Sequence, residues 1–310
     1  MNHLLELSDI HMRFGAQEVL SGISLCVPPG SIYGFIGQNG AGKTTTMKLI
    51  LGLLAPERGQ IAVCGEAVHY GNTRTNRHIG YLPDVPAFYP YMTAPEYLSL
   101  CAKITGLSQS DAQTRCKKLL ALVGLEKSAN KKLGGYSRGM TQRLGIAQAL
   151  LHEPKLLICD EPTAALDPAG RKDILDILLA VREQTTVLFS THILTDVERI
   201  CDRVAVLHDG KIRRDGPLRE WQNTQSAVLE AVFAPELDLR PLLDALRPHA
   251  QLQAENGLLR IQAADLSAVQ RLLFAQAAAL DILPQRVALA QPNLEQLFLQ
   301  TISQREEASA

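Results

Sequence analysis

The fold is set by one glycine-rich segment, Gly37-Gln38-Asn39-Gly40-Ala41-Gly42-Lys43-Thr44-Thr45. It matches GxxxxGK[ST], a pattern in which small residues let successive backbone N–H groups turn inward around a phosphate group. Gly40 and Gly42 lack the Cβ atom that would block this close approach. Lys43 supplies a positive charge for the phosphate oxygens, and Thr44 offers a hydroxyl group to Mg²⁺. The pattern therefore predicts a loop that cradles a polyphosphate.

The residues on both sides of this loop favour a strand, a loop and a helix in that order. Ser31–Ile36 is a short apolar run of the kind found in buried strands. After the loop, apolar residues recur at i, i+3, i+4 and i+7 on one helix face, namely Met47, Ile50, Leu51 and Leu54. We expect this helix to end before Pro56 and its N-terminal dipole to face the phosphates. A glycine-rich turn that matches by chance would not need this context.

Two adjacent acids follow another apolar run. Leu156–Cys159 predicts a buried strand that delivers Asp160 to the end of the sheet, where its carboxylate can bind Mg²⁺ directly or through water. Glu161 comes next and can polarise the attacking water as a general base. The alternative is an acid pair that only caps the turn before Pro162. Beside a phosphate loop, the catalytic interpretation is favoured.

Composition limits the class of protein. The chain has 310 residues, which suggests two domains. Its formal net charge of −1 gives no electrostatic reason to expect tight, sequence-independent binding of nucleic acid, although a neutral total leaves room for a local basic patch. No two of the six cysteines are spaced as CxxC, so a zinc knuckle is not expected and the thiols suit a reducing compartment. The N-terminus lacks a signal-peptide pattern, and no run approaches the roughly 18 apolar residues of a membrane span. Any membrane role therefore requires a docking partner.

Periodicity predicts the remaining elements of the first part of the chain. Alternating or short apolar runs predict strands at Leu4–Ser8, Ile23–Val27, Ile61–Cys64 and Ile79–Leu82. Further apolar runs suit buried parallel strands at Leu156–Cys159, Thr186–Phe189 and Val204–Leu207. Ala94 to Val123 is predicted to be helical, with a break around Gly106 to Ser108.

The pattern changes after about Trp221, where charges thin out and alanine, leucine and glutamine dominate. Strands are expected at Val228–Phe233, Leu252–Ala254 and Leu258–Ile261, with a hairpin turn at Asn256-Gly257. Helices are expected at Pro241–Leu246, Leu266–Ala279 and Leu294–Ile302. We expect residues 222–303 to form a small α+β domain after a first domain at 1–221, and 304–310 to be a disordered polar tail.

A second set of residues narrows the class. Tyr136-Ser137-Arg138-Gly139-Met140 begins a helical pattern, and Ser137 lies 23 residues before Asp160. In place and flanks it resembles LSGGQ, the signature motif of ABC ATPases. The stretch from Asp160 to Asp167 resembles the acidic strand and D-loop of that family, and Ser190-Thr191-His192 resembles its switch-histidine segment. Arg13-Phe14-Gly15 stands where the family carries an aromatic residue that stacks on adenine. The match covers about Leu4 to Arg219.

The resemblance implies an α/β fold: a P-loop ATPase core with a mixed, mainly parallel sheet, an antiparallel β subdomain and a helical insert at about 85–150. The small C-terminal α+β domain would be an addition to that core. The implied activity is hydrolysis of ATP with Mg²⁺, coupled to transmembrane transport.

The resemblance also implies roles for single residues. Catalysis would use Lys43, Glu161 and His192, and His192 would contact the γ-phosphate. Ser137 and Gly139 would face the γ-phosphate held by a second subunit, and Asp167 would bridge the two sites. The bland alternatives are a core residue for Phe14, a satisfied histidine for His192, and an ordinary helix cap for Ser137 and Gly139. Order and spacing favour the family roles, with nucleotide contacts by Phe14, Asp84, Ser137, Gly139, Asp167 and the loop Gly37, Gln38, Asn39, Gly40, Ala41, Gly42, Lys43, Thr44 and Thr45.

Two departures from the family pattern are visible. In the signature, Arg138 stands where glycine is usual and Met140 where glutamine is usual. Tyr136 replaces the usual leucine. Asp84 stands where the family often has a glutamine that reaches Mg²⁺ and water. Together with Thr44 and Asp160, Asp84 is therefore expected to face the metal, with a shorter reach.

The resemblance implies an integral-membrane permease as partner, a second copy of the chain or a close relative, no nucleic acid, and a place at the cytoplasmic face of the membrane. Phe88, Tyr89, Tyr91 and Met92 would dock on the permease or pack inside the insert. Pro292–Leu299 resembles the end of ATPases that serve drug and antibiotic exporters, so an exporter is favoured. Two alternatives stay open: a soluble ABC ATPase acting on the ribosome or DNA, and a sensory or resistance ATPase that moves no cargo.

Overall fold

The computed structural model describes residues 3–223, 228–263, 265–290, 294–295 and 297–298. The chain divides into two compact units, Met1–Leu218 and Arg219–Ala310. Each unit has its own sheet or sheets and its own apolar core. The domain boundaries expected at 221 and 303 stay predictions.

In chain order the strands are β1 (Leu5–Phe14), β2 (Gln17–Val27), β3 (Ile32–Ile36), β4 (Arg58–Val63), β5 (Glu66–Ala67), β6 (Ile79–Leu82), β7 (Leu156–Asp160), β8 (Thr186–Thr191), β9 (Arg203–His208), β10 (Lys211–Pro217), β11 (Val228–Val232), β12 (Gln251–Glu255), β13 (Leu258–Gln262) and β14 (Arg286–Ala290). The α-helices are α1 (Lys43–Ile50), α2 (Ala94–Ile104), α3 (Gln109–Leu122), α4 (Arg138–Leu150), α5 (Pro168–Val181), α6 (Leu194–Ile200), α7 (Leu218–Asn223), α8 (Arg240–Leu246) and α9 (Leu266–Ala279).

The first unit is built on a six-stranded sheet in the order β10-β9-β3-β8-β7-β6. All neighbours are parallel except β9 and β10. The five residues of β3 and the five of β7 are all buried, which explains why both strands are continuous apolar runs. Register aligns Ile36 with Thr191 and Asp160 with Ser190, so the carboxyl ends of β3, β7 and β8 meet at one edge.

A second, antiparallel sheet of the first unit has the order β2-β1-β4-β5. Its apolar side chains pack with α1 and the central sheet in one core, which contains Leu5, Leu25, Met47, Ile50 and Ile158. The strands β1 and β2 are longer than predicted, because register shifts let the pairing continue past Asp9, whose φ is 51°. The predicted fold class, a mainly parallel sheet with an antiparallel β subdomain and a helical region, is confirmed.

The helical region shows why the sequence breaks where it does. A capping box of Thr93 and Glu96 starts α2, and Ser108 caps α3 by accepting a hydrogen bond from Asp111 N. Between them, Gly106 has a φ of 75°, and Leu107 N donates to Ala102 O, which ends α2. The break expected around Gly106 to Ser108 is therefore confirmed. The helix α1 ends earlier than its apolar face suggested, since Gly52 takes a φ of 68°.

The second unit has a four-stranded antiparallel sheet in the order β12-β13-β11-β14. Its chain order is strand, helix, two strands, helix and strand, the split β-α-β arrangement. The predicted hairpin is confirmed, because Asn256 and Gly257 have φ values of 47° and 79° between the antiparallel strands β12 and β13. Helices α8 and α9 cover one face of the sheet with apolar side chains such as Leu242 and Leu273.

Some features were not predicted or are not described. The edge strands β10 and β14 were not predicted: β10 is rich in charged residues, whereas β14 is a short, mostly apolar run. The helix expected at Leu294–Ile302 lies mostly outside the described residues, and the tail at 304–310 lies wholly outside them. Within the described ranges, no helix is both long and apolar enough to span a membrane.

Candidate functional site

The glycine-rich loop joins β3 to α1, which begins at Lys43. Gly40 and Gly42 have φ values of 84° and 109°, a conformation that L-residues with side chains rarely adopt. A Cβ at Gly42 would lie 2.7 Å from Leu20 Cδ2, and one at Gly37 would lie 2.7 Å from Leu207 O. The loop therefore needs its glycines for conformation and for space.

The backbone of this loop has free donors. Ala41 N donates to Gln38 O at 3.2 Å and Thr46 N donates to Gly42 O at 2.9 Å. In the described part of the chain no protein acceptor is recorded for the N–H groups of Gly40, Gly42, Lys43, Thr44 and Thr45. Grouped N–H donors at a helix N-terminus form a cradle that fits the polyphosphate of a nucleotide.

A charged cluster lies beside the loop. Lys43 Nζ donates to Gly37 O at 2.7 Å and lies 3.0 Å from Glu161 Oε1. The other carboxylate oxygen of Glu161, Oε2, lies 2.9 Å from His192 Nδ1. The structure thus brings together Lys43, Glu161 and His192, the three residues predicted to act in catalysis.

Backbone strain aims Glu161 at this cluster. Glu161 has a φ of 48°, a left-handed conformation that is costly for a residue with a side chain. Its N–H donates to Ser190 O and Ser190 Oγ, both at 3.1 Å, which holds the turn at the end of β7 against β8. The alternative role as a cap for the next turn does not account for the contacts with Lys43 and His192.

Thr44 and Asp160 form the second contact across the site. Thr44 Oγ1 donates to Asp160 Oδ2 at 2.7 Å, and Ser190 Oγ donates to Asp160 Oδ1 at 2.6 Å. Because the Thr44 hydroxyl group acts as the hydrogen-bond donor to Asp160, the lone pairs of its oxygen stay available to a cation. Among the described residues no group of three His, Cys, Asp or Glu side chains is placed to hold a metal. The hydroxyl oxygen of Thr44 and the carboxylate of Asp160 are hard ligands that fit Mg²⁺, which commonly takes its other ligands from phosphate and water.

Ser190 is a site residue that sequence reasoning did not assign. It is fully buried, and its hydroxyl group donates a hydrogen bond to the Asp160 carboxylate and accepts one from the backbone N–H of Glu161. On β6, beside β7, burial together with the nearby Asp160 carboxylate raises the pKa of Tyr81 to about 12. The signals in the sequence were the position of Ser190 directly after the apolar run Thr186–Phe189 and its place in the segment that resembles the switch histidine.

Two predicted contact residues cap helices. Ser137 caps α4 by accepting a hydrogen bond from Met140 N at 3.3 Å, and Asp167 caps α5 by accepting one from Gly170 N at 3.0 Å. Gly139 lies in the first turn of α4, and a Cβ there would have no heavy atom within 4 Å. The cap geometry of Ser137 is ordinary, but nothing in its own chain requires glycine at Gly139.

Phe14 ends β1 in the hairpin that leads to β2 and is 48% exposed, so it is not a core residue. The same hairpin contacts the phosphate loop, because Val19 O would lie 3.2 Å from a Cβ at Gly42. An exposed ring on this hairpin is suited to stacking on a flat ligand.

Asp84 lies in the loop after β6. Its carboxylate is 3.8 Å from Arg138 Nη2, and its backbone O accepts a hydrogen bond from Gln142 Nε2 at 2.6 Å. Burial raises the pKa of Asp84, and the Arg138 guanidinium opposes this shift. Sequence reasoning noted Asp84 and Arg138 separately and missed Gln142.

The predicted aromatic cluster divides between core and surface. Phe88 packs edge-on against Tyr97, with ring centroids 4.9 Å apart. Tyr89 and Tyr91 are 50% and 68% exposed. Packing inside the helical region therefore explains Phe88, whereas Tyr89 and Tyr91 present rings to the surface.

The geometry defines the class of enzyme. The site combines a glycine-rich loop at the start of a helix with two contacts, Lys43 with Glu161 and Thr44 with Asp160. This combination is typical of P-loop nucleotide hydrolases. Within that class, the sequence family described as "ABC transporter" matches residues 20–164. The chain is 40% identical over 232 residues to the bacitracin transport ATP-binding protein BcrA of Bacillus licheniformis, covering 74% of this chain and 75% of the relative. This chain belongs to the ATP-binding subunits of ABC transporters.

Three further similarities cover the chain to different extents. The linearmycin resistance ATP-binding protein LnrL of Bacillus subtilis is 33% identical over 307 residues, covering 96% of this chain and 97% of the relative. A solved structure of an ATP-binding subunit of an ABC transporter has a TM-score of 0.65 and 36% identity, covering 71% of this chain and 92% of that one. A dimeric ATP-binding cassette in a post-hydrolysis state with ADP and Pi has a TM-score of 0.62 and 26% identity, covering 69% of this chain and 99% of that one.

Proposed function

We propose that this chain powers the export of antibiotics or similar compounds through a membrane permease, by ATP-driven closure and reopening of a dimer. Its membership of the ABC family makes it an ATPase that energises transport. Export is supported by two relatives, which are named for bacitracin transport and linearmycin resistance. The second of these matches nearly the whole chain, including the second unit.

The contact of Glu161 with Lys43 and His192 carries the proposal for hydrolysis. In this mechanism the loop N–H groups and Lys43 bind the phosphates, and Phe14 stacks on the adenine. Thr44 and Asp160 hold Mg²⁺, which neutralises phosphate charge when it is bound. Glu161 orients a water molecule and accepts its proton during in-line attack, and His192 keeps the Glu161 carboxylate in place.

The open surface at Gly139 supports the dimer. Glycine inside a helix costs stability relative to alanine, and a Cβ at Gly139 would meet open space, so glycine at this position needs a reason. Close approach of a second subunit, with its γ-phosphate against the N-terminus of α4, supplies that reason. Asp167 and Ser137 would lie at the same seam, and loss of the γ-phosphate after hydrolysis would let the halves separate.

The experiment is reconstitution of the full chain with its permease in vesicles. Cargo should accumulate in the compartment opposite the ATP-binding side when ATP and Mg²⁺ are present, and not with the Glu161→Gln variant. ATP hydrolysis without cargo movement would favour the sensory or resistance ATPase. Binding of the chain to ribosomes or DNA, with no binding to the permease, would overturn the proposal.

A further inference from the structure

Two departures from the family pattern, Asp84 and Arg138, lie close to each other in the folded chain. Arg138 Nη2 is 3.8 Å from Asp84 Oδ1, and each side chain is about half exposed. One residue follows β6 and the other begins α4, so they are far apart in sequence. Their contact gives a reason to interpret the two departures as one change.

The backbone at Asp84 is fixed by a different contact. Gln142 is 1% exposed and donates to Asp84 O at 2.6 Å. One turn further along α4, a Cβ at Gly145 would lie 2.4 Å from Leu82 Cδ1 and 3.2 Å from Pro86 Cγ. The backbone around Asp84 is therefore held against α4 by contacts that do not involve Arg138. The contact of Arg138 is with the Asp84 carboxylate, so a change at Arg138 should alter the charge near that carboxylate and leave the backbone in place.

The charge of Asp84 matters because of what surrounds it. Burial raises the pKa of Asp84, and the negative charges of Asp160 and Glu161 add to this shift, whereas the positive charge of Arg138 and His192 opposes it. A polyphosphate bound at Lys43 adds several more negative charges. A third carboxylate beside the acidic pair repels such a ligand, whereas a neutral glutamine would not.

We propose that Arg138 is a positioning residue that holds the Asp84 carboxylate and offsets its charge, so that ATP is accepted although an aspartate replaces glutamine. The inference rests on the proposed function of the site. The pair is half exposed, so its effect depends on ionic strength and is modest in size. Arg138 and Asp84 together therefore replace two uncharged residues of the usual pattern.

The test is a double-mutant cycle on the full chain with Asp84→Asn, Arg138→Gln and the double variant, measuring KM and kcat for ATP at low salt. Arg138→Gln should raise KM by about threefold to fivefold when Asp84 is present. In the Asp84→Asn background the same change should have little effect. Arg138→Lys should restore most of the wild-type KM, and salt of about 0.5 M should shrink the penalty.

A second readout separates charge from structure. Arg138→Gln should weaken the equilibrium binding of ATP more than that of ADP, because ATP carries more negative charge. Thermal unfolding of the wild type and the four variants checks that all five proteins fold. Equal effects of Arg138→Gln with and without Asp84, or equal effects on ATP and ADP, would overturn the inference. If the wild-type chain itself failed to hydrolyse ATP, the proposed function would fall instead.

Discussion

Lys43 Nζ lies 3.0 Å from Glu161 Oε1, and both side chains are largely buried. Lys43, the proposed phosphate ligand, and Glu161, the proposed general base, therefore contact each other in this structure. A γ-phosphate that binds Lys43 must compete with this carboxylate, because charge-assisted contacts are strong where water is excluded. Nucleotide binding would thus free Glu161 at the moment when a water molecule needs a base.

This contact predicts the behaviour of Glu161→Gln. The variant removes both the base and the charge that competes for Lys43, so ATP should bind at least as tightly as in the wild type. Turnover should fall by about 10² to 10⁴, the usual contribution of a general base. Equilibrium ATP binding and phosphate release measure the two effects. Glu183→Gln, at an exposed turn after α5, is the matched control. Unchanged phosphate release would remove Glu161 from its role.

Lys43→Met should abolish tight nucleotide binding. Methionine keeps much of the side-chain volume but loses the ammonium group, and each hydrogen bond to a charged group contributes about 1.5–3 kcal/mol. We expect ATP affinity to fall by about 100-fold at least, measured by titration calorimetry. Lys48→Met is the control, because Lys48 lies on the same helix and is exposed. Equal affinities for the two variants would contradict the assignment of the phosphate loop.

Gly139→Ala should separate folding from dimer closure. A Cβ at Gly139 meets open space, so alanine should keep or slightly raise the melting temperature by its higher helix propensity. If a second subunit approaches this turn, the same methyl group should weaken ATP-dependent dimers in the Glu161→Gln background. Gly145→Ala, on the same helix, should instead destabilise the fold through its clash with Leu82. Scattering at saturating ATP measures the dimer; undiminished association would place the seam elsewhere.

The ion pair of Arg171 and Asp196 joins α5 to α6, which follows His192. Arg171 Nη2 lies 2.6 Å from Asp196 Oδ1, and the side chain of Asp196 is only 4% exposed. Arg171→Met leaves a buried charge without its partner, so we expect a loss of about 3 kcal/mol in the free energy of unfolding. Arg199→Met, which breaks the exposed pair with Asp176 at 2.8 Å, should cost less than about 1 kcal/mol. Urea denaturation compares them, and similar losses would refute the argument from burial.

His152 predicts part of the acid sensitivity of the fold. Burial lowers the pKa of His152, whose Nε2 lies 3.1 Å from Ile79 O. The unfolded chain therefore binds a proton more readily than the folded one, and stability should fall as pH drops below about 6.5. His152→Gln keeps a donor for Ile79 and should lose less stability between pH 7.5 and 5.5, roughly the range in which histidine titrates. Exposed His249→Gln is the control, and an identical pH dependence for wild type and His152→Gln would refute the assignment.

Local patterns explain why most of the fold was predictable. Gly42 and Lys43 sit where a loop must become a helix, and Asn256-Gly257 has the conformation that a tight hairpin demands. The edge strand β10 was missed because an edge strand needs only one partner and tolerates mixed composition. Thus β10 contains Arg213, Arg214 and Asp215, a run that no period-two pattern selects.

By itself the sequence determined the residue types of the site and the strands and helices that carry them, since backbone preference and hydrophobic periodicity act over a few neighbouring residues. Only the tertiary structure placed Glu161 between Lys43 and His192, bonded Ser190 to Asp160, and joined Arg138 to Asp84. These contacts depend on the order and register of distant strands. Side chains far apart in the chain meet only after the sheet has formed.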